Sequence, residues 1–194
     1  MKFPIKVILL FYSFFQSKMG FGCFGRGSVI KYPYRLWGKK NIKIGKKVFI
    51  AQNSFLSAVR NWGEKSYNPK LIIGDNTTIG SSFFATCINE IIIEKNVLIS
   101  DRVFISDHIH DYFSVREPIL RQKLKFKGKV LIKEGSFIGI NAVIMPGVII
   151  GRNSVVGASS VVTKNVPDYY VVTGNPAKPI KKYNKNTKKW ERIK

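Results

Sequence analysis

Acidic residues are scarce in this 194-residue sequence: Asp and Glu number 11 against 33 Lys and Arg, for a formal net charge of +22. That excess goes beyond what solubility requires and implies an anionic partner. Nucleic acid, an anionic membrane surface and a phosphorylated small molecule all carry the complementary charge. The basic residues form no single recognition stripe, and no RNA-binding or helix-turn-helix signature accompanies them, so nucleic acid is not the expected partner.

Cysteine and histidine are scarcer still. Cys23 and Cys87 lie far apart and outside any C-x-x-C pair, which excludes a disulfide framework and a cysteine-based zinc site and makes a reducing, cytoplasmic setting the default. His108 and His110 are the only histidines, one short of a zinc site built on three imidazoles, and no metal is expected. Long apolar runs are missing too. The start combines Lys2, Lys6 and Lys18 with Phe3, Leu9, Leu10, Phe11, Phe14 and Phe15, but the run is too short to cross a bilayer as a helix and no small-x-small cleavage site follows. Two readings stay open for this segment: a helix packed on the body of the protein, or an amphipathic foot at the inner face of a membrane.

What the sequence has in quantity is repetition. Aliphatic residues recur at every sixth position: Ile44 and Ile50; Ile73 and Ile79; Ile93, Ile99 and Ile105; then Ile132, Ile138, Ile144, Ile150, Val156 and Val162. Two residues earlier stands a small or β-branched residue, as in Val48, Thr77, Val97, Val103, Ser136, Ala142, Val148, Ser154 and Ser160. Positions two apart share one side of an extended chain, so each hexad offers two inward side chains on a short strand. Gly45, Gly74, Gly80, Gly139, Gly151 and Gly157 follow the aliphatic position, often with Asn or Asp close behind, and Gly, Asn and Asp together are expected to supply the tight or left-handed backbone of a corner. Three strands and three corners make a triangular coil, and coils stack through parallel hydrogen bonding. About five coils are expected, giving a prism about 24 Å tall. Two stretches interrupt the repeat, 60–69 and 106–129, and a solenoid ejects such insertions as loops, often on its binding face.

From Val130 the sequence reads Val-Leu-Ile-Lys-Glu-Gly-Ser-Phe-Ile-Gly-Ile-Asn-Ala-Val-Ile-Met-Pro-Gly-Val-Ile-Ile-Gly-Arg-Asn-Ser-Val-Val-Gly-Ala-Ser-Ser-Val-Val-Thr-Lys-Asn-Val-Pro, followed by Gly174-Asn-Pro-Ala-Lys-Pro-Ile180. This closely resembles the galactoside and maltose acetyltransferase branch of the hexapeptide-repeat acyltransferases, and especially its glycan O-acetyltransferases. The similarity covers roughly residues 41–180 and is most specific in its last third. It implies an all-β fold, a left-handed parallel β-helix, assembled as a homotrimer with acetyl-CoA lying in a groove between neighbouring prisms. The chain then divides into an apolar and basic segment at 1–40, the β-helix domain at 41–180 with its loop at 106–129, and a basic tail at 181–194. For the tail, a short helix touching anionic lipid and a solvated strand of chain are both open.

Acetyl transfer from a thioester to a hydroxyl needs a base near neutrality, and imidazole suits. Both histidines stand in Ile105-Ser-Asp-His-Ile-His-Asp-Tyr112, where the last regular strand meets the long loop. The resemblance favours His108 as the base, with His110 as close rival. Asp107 or Asp111 is placed to orient the imidazole, although Asp111 equally suits a turn. Asn89 and Tyr112 are candidates for holding the acceptor. The resemblance further implies that Gly139, Ala158, Thr163 and Lys164 contact pantetheine or nucleotide and that Lys178 and Lys181 meet CoA phosphates. Phe137 stands where several members of that family carry Trp, so any hydrogen bond from an indole nitrogen is absent there. The expected acceptor is a sugar hydroxyl in capsule, lipopolysaccharide or exopolysaccharide synthesis. A small soluble acceptor, an amino group of a nucleotide sugar, and a non-catalytic scaffold are the rivals. The γ-carbonic anhydrase type of β-helix is set aside for want of a third histidine.

Overall fold

In a computed structural model that describes residues 5–193, with side chains from Phe11 onward, three parallel sheets wrap one apolar core. The first face stacks residues 23–24, 42–44, 70–73, 90–93, 130–132 and 149–150. The second stacks 29–30, 49–50, 78–79, 98–99, 137–138 and 155–156, and the third 34–37, 54–58, 84–87, 104–106, 143–144 and 161–162. Register places each hexad residue on its counterpart: Ile73 pairs with Ile93, and Ile93 with Ile132. The chain is a left-handed parallel β-helix.

The repeat positions are the core. Ile44, Ile50, Ile73, Ile79, Ile93, Ile99, Ile105, Ile132, Ile138, Ile144 and Ile150 are all 0–1% exposed. Burying each such side chain stabilises the fold by roughly 1.5–3 kcal/mol, before conformational entropy is set against it. The smaller partners carry a second function. Ser28, Thr77, Ser136 and Ser154 are buried, and their hydroxyls donate to Gly45 O at 2.6 Å, Glu94 O at 3.0 Å, Gly151 O at 2.9 Å and Pro167 O at 2.7 Å. Each hydroxyl thus ties one coil to the next, where an unpaired one would cost free energy. One coil inverts the sizes, with Phe83 at the small position and Ala85 at the large one, both fully buried.

The corners meet the expectation through Asn and depart from it at Gly. Left-handed residues at the corners include Asn53, Asn76, Asn96, Asn141 and Asn153, with Lys47, Ser82, Arg102 and Ser159 at equivalent places, all with φ between 50° and 62°. The glycines after the aliphatic position, such as Gly74 and Gly139, are not left-handed; they are required because the next coil passes too close. A Cβ on Gly74 would stand 2.6 Å from Glu94 C, and one on Gly139 2.7 Å from Ala158 N.

Both ends depart from the reading of the sequence. A sixth coil, residues 23–37, precedes the stretch that the repeat marked out. Phe24, Ile30 and Leu36 keep the six-residue step, and Phe24 pairs with Ile44, but its aromatic ring hides the aliphatic pattern. The helix Ile5–Ser17 lies against this coil. Gln16 is 2% exposed; its Nε2 donates to Ile30 O at 2.7 Å and its Oε1 accepts from Ile30 N at 2.9 Å. Lys2 and Phe3 lie outside the described residues, as do the side chains of Lys6, Leu9 and Leu10. At the other end the basic tail is neither helix nor solvated chain. Ala177–Asn184 runs antiparallel to Tyr170–Gly174 on the second face, and Lys189–Arg192 runs antiparallel to it in turn. Pro179 opposes a helix here, and Tyr183 packs edge-on against Trp190 at 5.5 Å.

Candidate active site

The site begins where the third face of the fourth coil ends. Ile105 points inward, Ser106 closes the strand, and the chain leaves the coil at Asp107. Asp107 is completely buried. Its carboxylate accepts the backbone N–H groups of Ile88 at 3.0 Å and of Asn89 and Glu90 at 2.8 Å each, all from the corner of the preceding coil. Charge-assisted bonds of this kind offset the desolvation of a buried carboxylate. Beside it, Cys87 is fully buried; burial, reinforced by the Asp107 charge, pushes its thiol pKa far up, which makes it an inert core group.

His108 Nδ1 lies 2.7 Å from Asp107 Oδ1. With Nδ1–H given to the carboxylate, the basic lone pair of the neutral ring sits on Nε2. Ser106 fixes the backbone of the same residue, its Oγ donating to His108 O at 2.8 Å and accepting from His108 N at 3.2 Å. The two histidines do not sit on a free loop: His108–His110 is a strand, antiparallel to Leu124–Phe126, with His108 opposite Phe126 and His110 opposite Leu124.

Both imidazoles line one cavity of about 490 Å³ on the third face, mostly apolar, with Phe84, Phe104, Trp62, Leu124 and Met145 among its walls. The His110 ring packs edge-on against Trp62 at 5.0 Å. The first ejected loop clamps the second. Trp62 Nε1 donates to Gln122 O at 3.1 Å, and the Tyr67 hydroxyl accepts from Leu124 N at 3.0 Å while donating to Leu124 O at 3.1 Å. Sequence reasoning passed over Trp62 and Tyr67; their signal was that both lie in the shorter of two insertions, which a solenoid places on neighbouring coils.

The other candidates are scattered. Asn89 is exposed, and only its backbone N–H reaches the site, through Asp107; its side chain borders a shallow depression with Lys40 and Lys70. Tyr112 is 69% exposed and is not among the cavity walls. Asp111 accepts the Tyr112 N–H at 3.0 Å, as a turn residue does. Gly139 and Ala158 stand at the edge between the second and third faces, near Thr173, with which Lys178 pairs. Thr163 and Lys164 are exposed at the edge between the third and first faces, the edge from which His108 also departs. Phe137 is on the second face, away from the cavity.

A three-faced parallel β-helix of this kind is the fold of a class of acyltransferases. The signature described as "Bacterial transferase hexapeptide (six repeats)" matches residues 129–164. The galactoside O-acetyltransferase of Lactococcus lactis is 31% identical over 153 residues, covering 75% of this chain and 69% of that protein. The chain therefore belongs to the hexapeptide-repeat acetyltransferase family. The putative lipopolysaccharide biosynthesis O-acetyl transferase WbbJ of Escherichia coli K12 is 35% identical over 128 residues, 63% of this chain and 65% of WbbJ, so the match spans a little under two thirds of that relative. Among solved structures, a mutant of AntD, an N-acyltransferase from Bacillus cereus in complex with dTDP and coenzyme A, superposes with a TM-score of 0.71 at 25% identity over 89% of each chain. A hexapeptide-repeat acetyltransferase from Vibrio cholerae complexed with acetyl coenzyme A gives 0.59 at 25% identity, covering 88% of this chain and 76% of that one.

Proposed function

We propose that this protein transfers an acetyl group from acetyl-CoA to a sugar hydroxyl during synthesis of a surface polysaccharide, with His108 as general base and Asp107 as its orienting partner. The observation that carries the chemistry is the 2.7 Å contact between His108 Nδ1 and Asp107 Oδ1 at the edge of an acceptor-sized cavity. His108 Nε2 takes the hydroxyl proton as the oxygen attacks the thioester carbonyl; the C–S bond breaks and the proton passes to the departing thiolate. His110, the rival for the role of base, lines the same cavity with its ring against Trp62, but it lacks the carboxylate contact that His108 makes. The likeness to WbbJ supports the polysaccharide assignment.

Acetyl-CoA fits the chain as a co-substrate. Gly139 and Ala158 leave backbone within reach of a thin pantetheine arm, and the exposed Lys164 and Lys178, with Lys181 nearby, offer ammonium groups for its phosphates. These residues occupy two different edges of one prism. In a homotrimer the His108 edge of one protomer, with Thr163 and Lys164, would face the Gly139 and Ala158 edge of the next, making one groove from both. We also place the protein at the inner face of the cytoplasmic membrane. Phe11, Phe14 and Phe15 are 60–67% exposed on the end helix beside Lys18 and Arg26, a combination suited to an anionic interface, although no described helix is long and apolar enough to cross a membrane.

The test is thiol release from acetyl-CoA against a panel of glycan acceptors, for wild type and His108→Ala. Acceptor-dependent release lost in the variant supports the proposal; release that survives it removes His108 from the reaction. The likeness to AntD favours a second reading, an amino-sugar acceptor, so the panel includes amino sugars as nucleotide conjugates. Vesicles rich in anionic lipid test the membrane assignment, and failure to sediment with them points to a soluble acceptor.

A further inference from the structure

Two rows of outward side chains run along the third face, and apart from Ser106 the transfer step leaves them unused. Strand register aligns Trp37, Ser57, Thr86 and Ser106 in one row and Phe55, Phe84 and Phe104 in the other. The aromatic row is continuous. Trp37 meets Phe55 edge-on at 5.7 Å, Phe55 meets Phe84 edge-on at 4.9 Å, and Phe84 stacks on Phe104 at 5.3 Å. All seven residues line the cavity that holds His108, and the rows lead away from it toward the first coil by about 4.8 Å per step, the strand spacing.

The two rows differ in chemistry. One presents ring carbon; the other, between Trp37 and Ser106, presents the hydroxyls of Ser57 and Thr86, and these match the two sides of a pyranose: a C–H face and a polar edge. The step per coil is close to the advance of one sugar residue along an extended glycan. Ser57 is 2% exposed, none of the hydrogen bonds among the described residues involves its hydroxyl, and the surface it retains opens into this cavity. A buried hydroxyl in that position gains a partner when a polar ligand fills the space. No Lys or Arg is among the cavity walls; the Arg35 guanidinium lies over the Phe55 ring at 4.6 Å, toward the first coil. The diphosphate of a nucleotide sugar lying in the track would find no ammonium group along it; a neutral saccharide needs none.

We infer that the double row is an extended acceptor site for a glycan chain of several sugars. The reacting sugar sits at His108 beside Phe104, the next ones lie over Phe84 with Thr86 and over Phe55 with Ser57, and Trp37, 62% exposed, is the outermost platform. This inference rests on the sugar-transfer reading above and specifies its substrate as an oligosaccharide or a growing polymer, bound along the third face, in preference to a single nucleotide-linked sugar.

The experiment uses the full chain and graded series of neutral oligosaccharides, from mono- to tetrasaccharide, prepared from bacterial surface polysaccharides. Binding is read by tryptophan fluorescence and transfer by thiol release, for wild type, Trp37→Ala and Ser57→Ala, with the mass of each variant measured in solution. Affinity should rise with length by roughly tenfold or more, a factor equivalent to about 1.4 kcal/mol, and Trp37→Ala should bring the tetrasaccharide down to the level of the shorter chains. Equal affinity for all lengths overturns the inference, as does a length dependence indifferent to both substitutions. A change of oligomeric mass in Trp37→Ala without a change in length dependence also overturns it, by showing that the row packs against another copy of the chain. Length-dependent binding with no His108-dependent transfer would leave the glycan track standing and sink the acetyl-transfer reading instead.

Discussion

Asp107 and His108 are neighbours in sequence, yet their side chains touch, with Oδ1 and Nδ1 2.7 Å apart. Consecutive residues of a strand point to opposite sides, so the contact depends on the chain leaving the coil at this position. The carboxylate is itself pinned by three N–H groups of residues 88–90. The imidazole is thereby fixed to the preceding coil, whose position the core determines.

Asp107→Asn keeps the size and removes the charge. One face of the new amide can no longer accept the N–H groups it replaces, which costs about 1–3 kcal/mol. Loss of orientation and of charge stabilisation lowers kcat by about a hundred- to ten-thousandfold. Thermal denaturation monitored by circular dichroism and steady-state kinetics check the two effects, and a variant with full kcat would remove Asp107 from the mechanism.

Tyr67→Phe deletes the one hydroxyl that both donates to and accepts from Leu124. Because residues 124–126 pair with 108–110, the loop should open locally while the core melts as before. Hydrogen exchange at Leu124 and Ile109 should quicken, and kcat should fall more than KM rises. Unchanged exchange there would show that the clamp is not needed.

Ile138 is fully buried in the fifth coil, and Ile138→Ala should cost about 2–5 kcal/mol through lost transfer energy and a residual cavity. Leu120 is 75% exposed on the long loop, and Leu120→Ala should change the stability of the isolated chain by no more than about 0.5 kcal/mol. Chemical denaturation of the two variants side by side tests the contrast.

Asp168 takes the backbone N–H of Arg152 at 2.8 Å and the Lys133 ammonium at 3.3 Å; the first contact above all holds its carboxyl below the ordinary range. A depressed value in the folded state means that the stabilisation is present above the ordinary carboxylate pKa and is lost as pH falls through the folded value. Asp168→Asn should therefore be less stable than wild type at neutral pH and should converge with it in acid. A gap in melting temperature that does not close below the carboxylate range would contradict this account.

The prism was legible in the sequence because six-residue recurrence has only one regular interpretation, and eleven isoleucines at those positions are indeed buried. The first coil was not, since Phe24 substitutes an aromatic ring for the aliphatic signal, and Phe83 with Ala85 conceals one hexad by exchanging sizes. The corner glycines were found for the wrong reason: crowding between coils, invisible along one chain, requires them. At the site, the Asp-His dipeptide marked the pair, but the three N–H donors and the clasp from Trp62 and Tyr67 join residues that are 17 to 60 apart in sequence. Periodicity carries no information about such contacts. The tail was misread because a run of lysines reads as solvated chain, and the pairing that makes it a strand, Tyr183 opposite Trp190, joins residues that show no alternation along the sequence.

Gln16 offers an amide donor and an amide acceptor to Ile30, the same pair of groups that a neighbouring strand would supply. A stack of identical coils has no internal reason to end, and its bare first rung would be a template on which a second molecule could polymerise. One side chain, held in place by a thirteen-residue helix, serves as a false rung on the second face and occupies the groups that a strand of another molecule would pair with there.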